Sequence, residues 1–196
     1  MSESVIGIVL CAGFSGRMNK FKPLLKLNNG KTLIQNITGK LSVVCNEVIV
    51  VTGFKSNEVT ADIKETDDSG KVITVFNEHY ESGMFSSLQA GLRSSDASWY
   101  LYHFVDQPGL PDNFYSKFIN RVNDKFNWVQ PVHNNKKGHP ILFDNFVKEK
   151  ILKSSADANL RAISRDKSIK KIFWEYDSDL IFQDIDTPEE FDSLLE

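Results

Sequence analysis

The stretch VIGIVLCAGFSGRMNKFKPLL, Val5 to Leu25, decides how the rest of the chain is read. Its first seven residues, VIGIVLC, are apolar without the alternation of a half-exposed strand, which is the pattern of a β-strand covered on both faces. Glycines, small polar residues and cations follow at once. Small residues let backbone N–H groups approach a phosphate closely, and Arg17 and Lys22 supply charge, so the turn after this strand is expected to face an anion. Neither common phosphate motif fits. Ser15 stands where GxGxxG needs its second glycine, and Met18 stands where GxxxxGK[ST] needs its own.

Similar β-branched runs recur at 47–53, 71–76, 98–105, 127–132, 139–143 and 169–176. Segments with helical spacing lie between them at 32–41, 57–64, 86–95, 112–122, 143–152, 158–165 and 188–195. Strand and helix alternate, which predicts an α/β fold with a Rossmann-like, doubly wound, mostly parallel sheet. No repeat, low-complexity tract or Pro/Gly/Ser linker divides the 196 residues, so a single domain over 1–196 is expected. Ligands of such sheets bind beyond the carboxyl ends of strands, which directs attention to the residues after 11, 53, 76 and 105.

A net charge of −3 argues against a protein that coats nucleic acid or anionic membrane. The charge is unevenly placed. No Asp or Glu occurs from Ser4 to Asn46, where Arg17, Lys20, Lys22, Lys26, Lys31 and Lys40 all fall; from Glu175 to Glu196 there are nine acids and no Lys or Arg. One end is suited to phosphate and the other to a cation. Cys11 and Cys45 have no framework or CxxC spacing and read as small buried hydrophobes in a reducing, cytoplasmic setting. The first apolar run follows Glu3, has no basic segment before it and is too short to span a bilayer, so it reads as a strand and not as a leader.

Several stretches, taken together, resemble the molybdenum cofactor cytidylyltransferase family of NTP transferases. LCAGFSGRMNKFKPLL (10–25) resembles the family's signature loop, ESGMFSSLQAGL (81–92) its Gly-Met-x-x-Ser-Leu segment, and VDQPGL (105–110) its Asp-Gln-Pro turn. KGHPILF (137–143) is similar to its Gly-His-Pro strand start, ADANLRAI (156–163) loosely to an Asp-x-x-x-Arg segment, and DIDTPEEF (184–191) to its C-terminal Asp-x-Asp-Thr-Pro-Glu motif. The resemblance implies a nucleotide-diphospho-sugar transferase fold and transfer of CMP from CTP to molybdopterin with release of pyrophosphate. It also implies Mg²⁺ as cofactor and a molybdenum hydroxylase as recipient of the product.

The same resemblance implies roles. Leu10, Ala12, Gly13, Ser15 and Gly16 would cradle the nucleotide, Arg17 would face the β and γ phosphates, and Lys22 would reach the α-phosphate. Asp106, at a strand end, and Asp186, ahead of Asp184, would hold the metal, in keeping with the preference of Mg²⁺ for one or two carboxylates plus phosphate oxygens. Gly83, Ser87, Gln107, Pro108 and His139 would line the substrate sites, His139 with Lys136 and Lys137 near the acceptor's phosphate or pterin. Ala12 in place of a further glycine resembles the cytidylyl and not the guanylyl enzymes. The alternatives are another NTP, a sugar or polyol phosphate acceptor, or a non-catalytic cofactor carrier, which need not keep carboxylates opposite a cationic loop.

Two positions depart from the family pattern. Asn19 replaces a glycine and can hold a positive φ, and Phe85, bulkier than the expected Ser or Thr, is expected to reshape the nucleotide pocket. His79, His103 and His133 read as structural or surface residues, no histidine pair has zinc-ligand spacing, and Trp128 and Trp174 read as core. Thr187, Pro188 and Glu190 spell a helix start, with Glu189, Glu190 and Asp192 otherwise solvated.

Overall fold

A computed structural model describes residues 3–18, 20–155 and 157–195, with the side chain of Arg17 also outside the description; Asn19 therefore lies outside the described residues. The strands are β1 (Val5–Cys11), β2 (Glu47–Thr52), β3 (Val72–Phe76), β4 (Trp99–Phe104), β5 (Trp128–His133), β6 (Lys136–Lys137), β7 (Ile141–Asp144) and β8 (Lys171–Glu175). The helices are α1 (Leu33–Val44), α2 (Ser56–Lys64), α3 (Met84–Arg93), α4 (Asp112–Ile119), α5 (Asn145–Lys153), α6 (Leu160–Ile163) and α7 (Pro188–Leu195). All strands join one eight-stranded sheet, ordered β3-β2-β1-β4-β7-β5-β6 with β8 also paired to β5. β1 pairs in parallel with both β2 and β4, β2 with β3 and β5 with β8, whereas β7 runs antiparallel between β4 and β5. The expected doubly wound, mostly parallel sheet is what the chain forms.

β1 shows why its sequence is continuous and not alternating. Val5, Val9 and Cys11 face a core formed with α1, α2 and α4, while Ile6, Ile8 and Leu10 face one formed with α3 and α5. Each such Val, Ile or Leu contributes about 1.5–3 kcal/mol by leaving water. α3 lies close on its face because residue 91 is glycine: a Cβ there would sit 2.8 Å from Val51 Cγ2 and 3.2 Å from Ile8 Cγ2. Cys11 and Cys45 are buried free thiols, and burial pushes Cys45 up to about 12, so neither is a nucleophile at neutral pH.

Local chemistry sets the helix ends. Thr32 caps α1 reciprocally with Gln35, accepting from Gln35 N at 3.2 Å and donating its own N–H to Gln35 Oε1 at 3.0 Å. At α7 the expected start is present: Glu190 N donates to Thr187 Oγ1 at 3.2 Å, and Glu190 Oε2 accepts from Thr187 N at 2.9 Å and from Asp186 N at 2.7 Å. Glu190 is thus more than a solvated acid, since it fixes the backbone at Asp186. No described helix is long and apolar enough to cross a membrane.

β1 has β2 on one side and β4 on the other, and their connections lead to opposite faces of the sheet. A crevice opens at such a reversal, beyond the carboxyl ends of the strands. Leu10 stands level with Phe104, so the loops beginning at Ala12 and Val105 emerge side by side.

Candidate functional site

A cavity of about 500 Å³ occupies this crevice. Leu10, Ala12, Gly13, Ser15 and Lys22 line it from the β1 side, Gly83 and Ser87 from the start of α3, and Asp106, Asp184 and Asp186 from the β4 loop and the C-terminal segment. Residues from four distant parts of the sequence meet there.

The turn after β1 is built around Ser15, whose φ of 55° is left-handed. Its carbonyl accepts from Met18 N at 3.0 Å, and its hydroxyl accepts from Lys22 N at 3.1 Å. Met18 is buried beneath the turn. Gly13 and Gly16 have nothing within 4 Å of where a Cβ would lie, which leaves their backbone open to a ligand. The Ala12 carbonyl, by contrast, accepts from Phe54 N at 3.1 Å, tying the turn to the end of β2.

Lys22 is the focus of the site. Its ammonium lies 2.7 Å from Asp186 Oδ1 and 3.2 Å from Asp106 Oδ2, with the lysine side chain 10% exposed, that of Asp186 29% and that of Asp106 24%. The acid-free end of the chain and its acidic end thus meet on one ion-paired cluster. The loop carrying Asp106 is held from below by Lys40 of α1, which donates to Pro108 O at 2.8 Å and Leu110 O at 2.7 Å. Lys40 is therefore a brace for the loop. Burial lowers its pKa. Ile185 N donates to Asp106 O at 2.9 Å, which locks the two carboxylate-bearing segments together.

Asp184 is tied differently. Gln107 Nε2 donates to Asp184 Oδ1 at 2.7 Å. Burial, and then the negative charge of Asp106, raise the pKa of Asp184, while the Gln107 hydrogen bond opposes the shift. Four carboxylates, those of Glu81, Asp106, Asp184 and Asp186, share the cavity with one ammonium among the described residues, an arrangement that repels a polyphosphate unless a further cation enters. Among the described residues no three His, Cys, Asp or Glu side chains are grouped to hold a metal. Asp106 and Asp186 nevertheless already converge on one cation, the Lys22 ammonium. The donor set fits a hard divalent ion completed by phosphate oxygens and water.

At the end of β3 stands Asn77, which the sequence reading passed over. Its Nδ2 donates to Ser86 Oγ and Ser87 Oγ, both at 3.0 Å, and its Oδ1 accepts from His79 N at 3.0 Å. Gly83 takes a φ of 100° at the head of α3, a conformation an L side chain would strain. Ser87 is thereby held, buried, against the cavity. The only advance signal was position, since Asn77 is the first residue beyond a strand's carboxyl end.

Other expected residues fall elsewhere. Pro108, Gln107 and Gly16 do not line either of the two cavities at this edge. Pro108 serves through its carbonyl on Lys40, and Gln107 through Asp184. Phe85 does not narrow the first cavity but floors the second and packs in the α3 core. Lys137 has its ammonium 4.5 Å from the Phe173 ring centroid, a cation–π contact on β8. His139 lines the second cavity, of about 410 Å³, which shares Gly83, Met84 and Phe104 with the first. His103 is fully buried between Phe104 O, at 2.6 Å, and Tyr115 Oη, at 2.8 Å, and Trp128 and Trp174 are packed in aromatic clusters.

A parallel sheet whose reversal point carries a glycine turn, a pinned lysine and facing carboxylates defines a nucleotidyltransferase. The chain belongs to the family of the MobA-like NTP transferase domain, whose model matches residues 7–172. It is 26% identical over 184 residues to the molybdenum cofactor cytidylyltransferase of Escherichia coli (strain K12), covering 94% of this chain and 92% of that one. A probable molybdenum cofactor guanylyltransferase of Bacillus cereus (strain G9842) is 27% identical over 150 residues, covering 74% of this chain and 70% of the relative. Among solved structures, a nucleotidyl transferase from Methanothermobacter thermautotroptrophicus superposes with a TM-score of 0.83 at 19% identity, over 99% of this chain and 97% of that one. Rv0371C of Mycobacterium tuberculosis H37Rv, in complex with manganese, superposes with a TM-score of 0.77 at 19% identity, over 98% of each chain.

Proposed function

We propose that this nucleotidyltransferase moves CMP from CTP to molybdopterin, releasing pyrophosphate. The observation that carries the reading is the Lys22 ammonium held 2.7 Å from Asp186 and 3.2 Å from Asp106 beneath an open glycine turn. Support for the acceptor comes from the names of the cytidylyl and guanylyl relatives. Support for cytidine comes from Ala12, where the loop resembles the cytidylyl and not the guanylyl enzymes. The Escherichia coli relative also matches over more of the chain than the Bacillus cereus one.

In this reading the backbone of Ala12 to Gly16 cradles the triphosphate, and Arg17 faces its β and γ phosphates. Lys22 leaves the carboxylates for the α-phosphate, where its charge offsets that of the pentacoordinate transition state. Asp106 and Asp186 would hold Mg²⁺, which when bound would supply positive charge against the phosphate oxygens. Gln107 keeps Asp184 out of that exchange, and Ser87, held by Asn77, keeps a hydroxyl at the nucleotide. The terminal phosphate of the acceptor attacks the α-phosphorus in line, so that one P–O bond forms as the bond to pyrophosphate breaks. Product delivery would be to a molybdenum hydroxylase.

The test is pyrophosphate release with each NTP in turn, Mg²⁺ and molybdopterin. Release with CTP well above the others is the expected result. Release only with GTP would refute the cytidylyl assignment, and no release with any NTP would refute the transfer itself.

A further inference from the structure

β8 is an outer strand of the sheet. Trp128 stands between Phe143 and Lys171, and Val132 between Lys137 and Glu175, so β6 and β7 share one side of β5 and β8 has the other to itself. Lys170 O accepts from Asn127 N at 2.8 Å, and Tyr176 N donates to Val132 O at 2.9 Å. Backbone groups alternate in direction along a strand, so those of Lys170, Ile172, Trp174 and Tyr176 face β5, and those of Lys171, Phe173 and Glu175 point away from the sheet. Among the described residues nothing pairs with these outward groups. Such a row is a template for a further strand.

The opposite edge of the sheet is guarded. In β3, Lys71 O accepts from Val48 N and Asn77 N donates to Thr52 O, both at 2.9 Å, so the backbone groups of Val72, Thr74 and Phe76 point outward. There the Val72 N–H donates to Asp67 Oδ2 at 3.1 Å, and the carboxylate stands where an incoming strand would lie. β8 has no such guard, and its charges match their own reverse. Lys171, Phe173 and Glu175 share one face, with the cation first, the ring at the centre and the anion last, while Ile172 and Trp174 pack on the core from the other face. Phe173 is 42% exposed. Lys171 donates to Asp166 O at 3.2 Å and Ile169 O at 3.0 Å, which leaves one of its three ammonium hydrogens to give, and Glu175 is exposed with no ion pair among the described residues.

We infer that β8 is the interface with a second copy of this chain, the two edges pairing antiparallel about a two-fold axis at Phe173. The two Phe173 side chains then lie opposite each other, and Lys171 of each copy lies opposite Glu175 of the other. All three positions are of the kind in which opposed residues exchange both N–H···O bonds, so the register that matches the charges is also one that the backbone permits. A shift by one residue sets outward groups against inward ones, and a shift by two sets Phe173 against a charge. The crevice between β1 and β4 is separated from this edge by β7 and β5, so pairing leaves it uncovered. The inference does not rest on the transferase reading.

Sedimentation equilibrium of the full chain over a range of concentrations tests it. The mass should rise from 22.3 kDa toward twice that value. Phe173→Pro removes an N–H that faces away from β5, a place where an edge strand tolerates proline, and should hold the chain monomeric. Glu175→Lys, at an exposed position, sets lysine against Lys171 at both ends and should weaken the dimer about tenfold. It provides the reading should the proline variant not fold. Lys171→Cys and Glu175→Cys report the register: oxidised as a mixture they should join by a disulfide and each alone should not, the native Cys11 and Cys45 being buried. A chain that stays monomeric at every concentration overturns the inference and leaves the edge to a strand of a different protein. It is equally overturned if Phe173→Pro and Glu175→Lys dimerise as wild type does, or if the cysteine mixture joins no better than either variant alone.

Discussion

Lys22 Nζ lies 2.7 Å from Asp186 Oδ1, a contact between residues 164 positions apart that joins the cationic start of the chain to its acidic end. With Asp106 on its other side, the ammonium holds the place between two carboxylates that a divalent ion would take. In the proposed reading, lysine and metal would compete for one position, and the polyphosphate would give the lysine somewhere else to go.

Lys22→Met should therefore separate two quantities. Transfer should fall by at least about 100-fold, the scale of losing a charge that stabilises a transition state. Binding of Mn²⁺ to the nucleotide-free protein, followed by electron paramagnetic resonance, should become tighter. Stability should fall by only about 1–2 kcal/mol, because the carboxylates left behind are partly solvated. Unchanged Mn²⁺ binding would contradict the competition.

Asp186→Asn and Asp184→Asn are expected to differ. Asp186 faces Lys22, whereas Asp184 is engaged by Gln107. Loss of Asp186 should cost about 100-fold or more in kcat and raise the metal concentration needed, while Asp184→Asn should stay within about tenfold. Steady-state rates against Mg²⁺ concentration check this, and equal losses would contradict the division of roles.

Gly91→Ala tests the packing of α3 on the sheet. The added methyl would lie 2.8 Å from Val51 Cγ2, closer than contact permits, and helix propensity gains too little to compensate. A loss of about 1–3 kcal/mol in urea unfolding is expected. No loss would mean that the helix shifts at little cost.

Stability should also depend on pH through His103 and His139, lowered by burial to about 3 and about 4. Both are neutral when folded and protonate near 6.5 once unfolded, so between those values the unfolded chain binds more protons. Their contribution is complete above pH 6.5 and is lost as pH falls toward 4, with a slope approaching about 1.4 kcal/mol per pH unit for each histidine. Urea unfolding from pH 7 to 5 should show the decline, and His139→Gln should reduce its slope. A flat profile would contradict the neutral buried state of both rings.

Much of this fold was legible because unbroken apolar runs such as Val5–Cys11 have one explanation, burial on both faces. Strand direction was not. β7 runs antiparallel because β5 turns back through Asn134 and Asn135, with φ of 50° and 61°, a two-residue hairpin whose paired asparagines were the available signal. In the site, Lys22, Asp106 and Asp186 were marked by a family resemblance, and the charge asymmetry of the chain pointed the same way. Gln107 with Asp184, Asn77 with Ser86 and Ser87, and Glu190 beneath Asp186 were not legible. Side-chain pairing across folded segments leaves no periodicity, and Glu190 looked like one acid among many. Pro108, expected at the substrate, and Lys40, counted among the cations of the acid-free end, are joined by a hydrogen bond from the lysine to the proline carbonyl, a contact with no mark in the sequence.

The central claim is transfer of a nucleotide from CTP to a pterin phosphate. CTP labelled at its α-phosphorus, incubated with Mg²⁺, molybdopterin and the protein, should give label on the pterin product and unlabelled pyrophosphate in equal amounts, with none from the Lys22→Met variant. Label remaining in CTP, with no pterin product formed, would contradict the account.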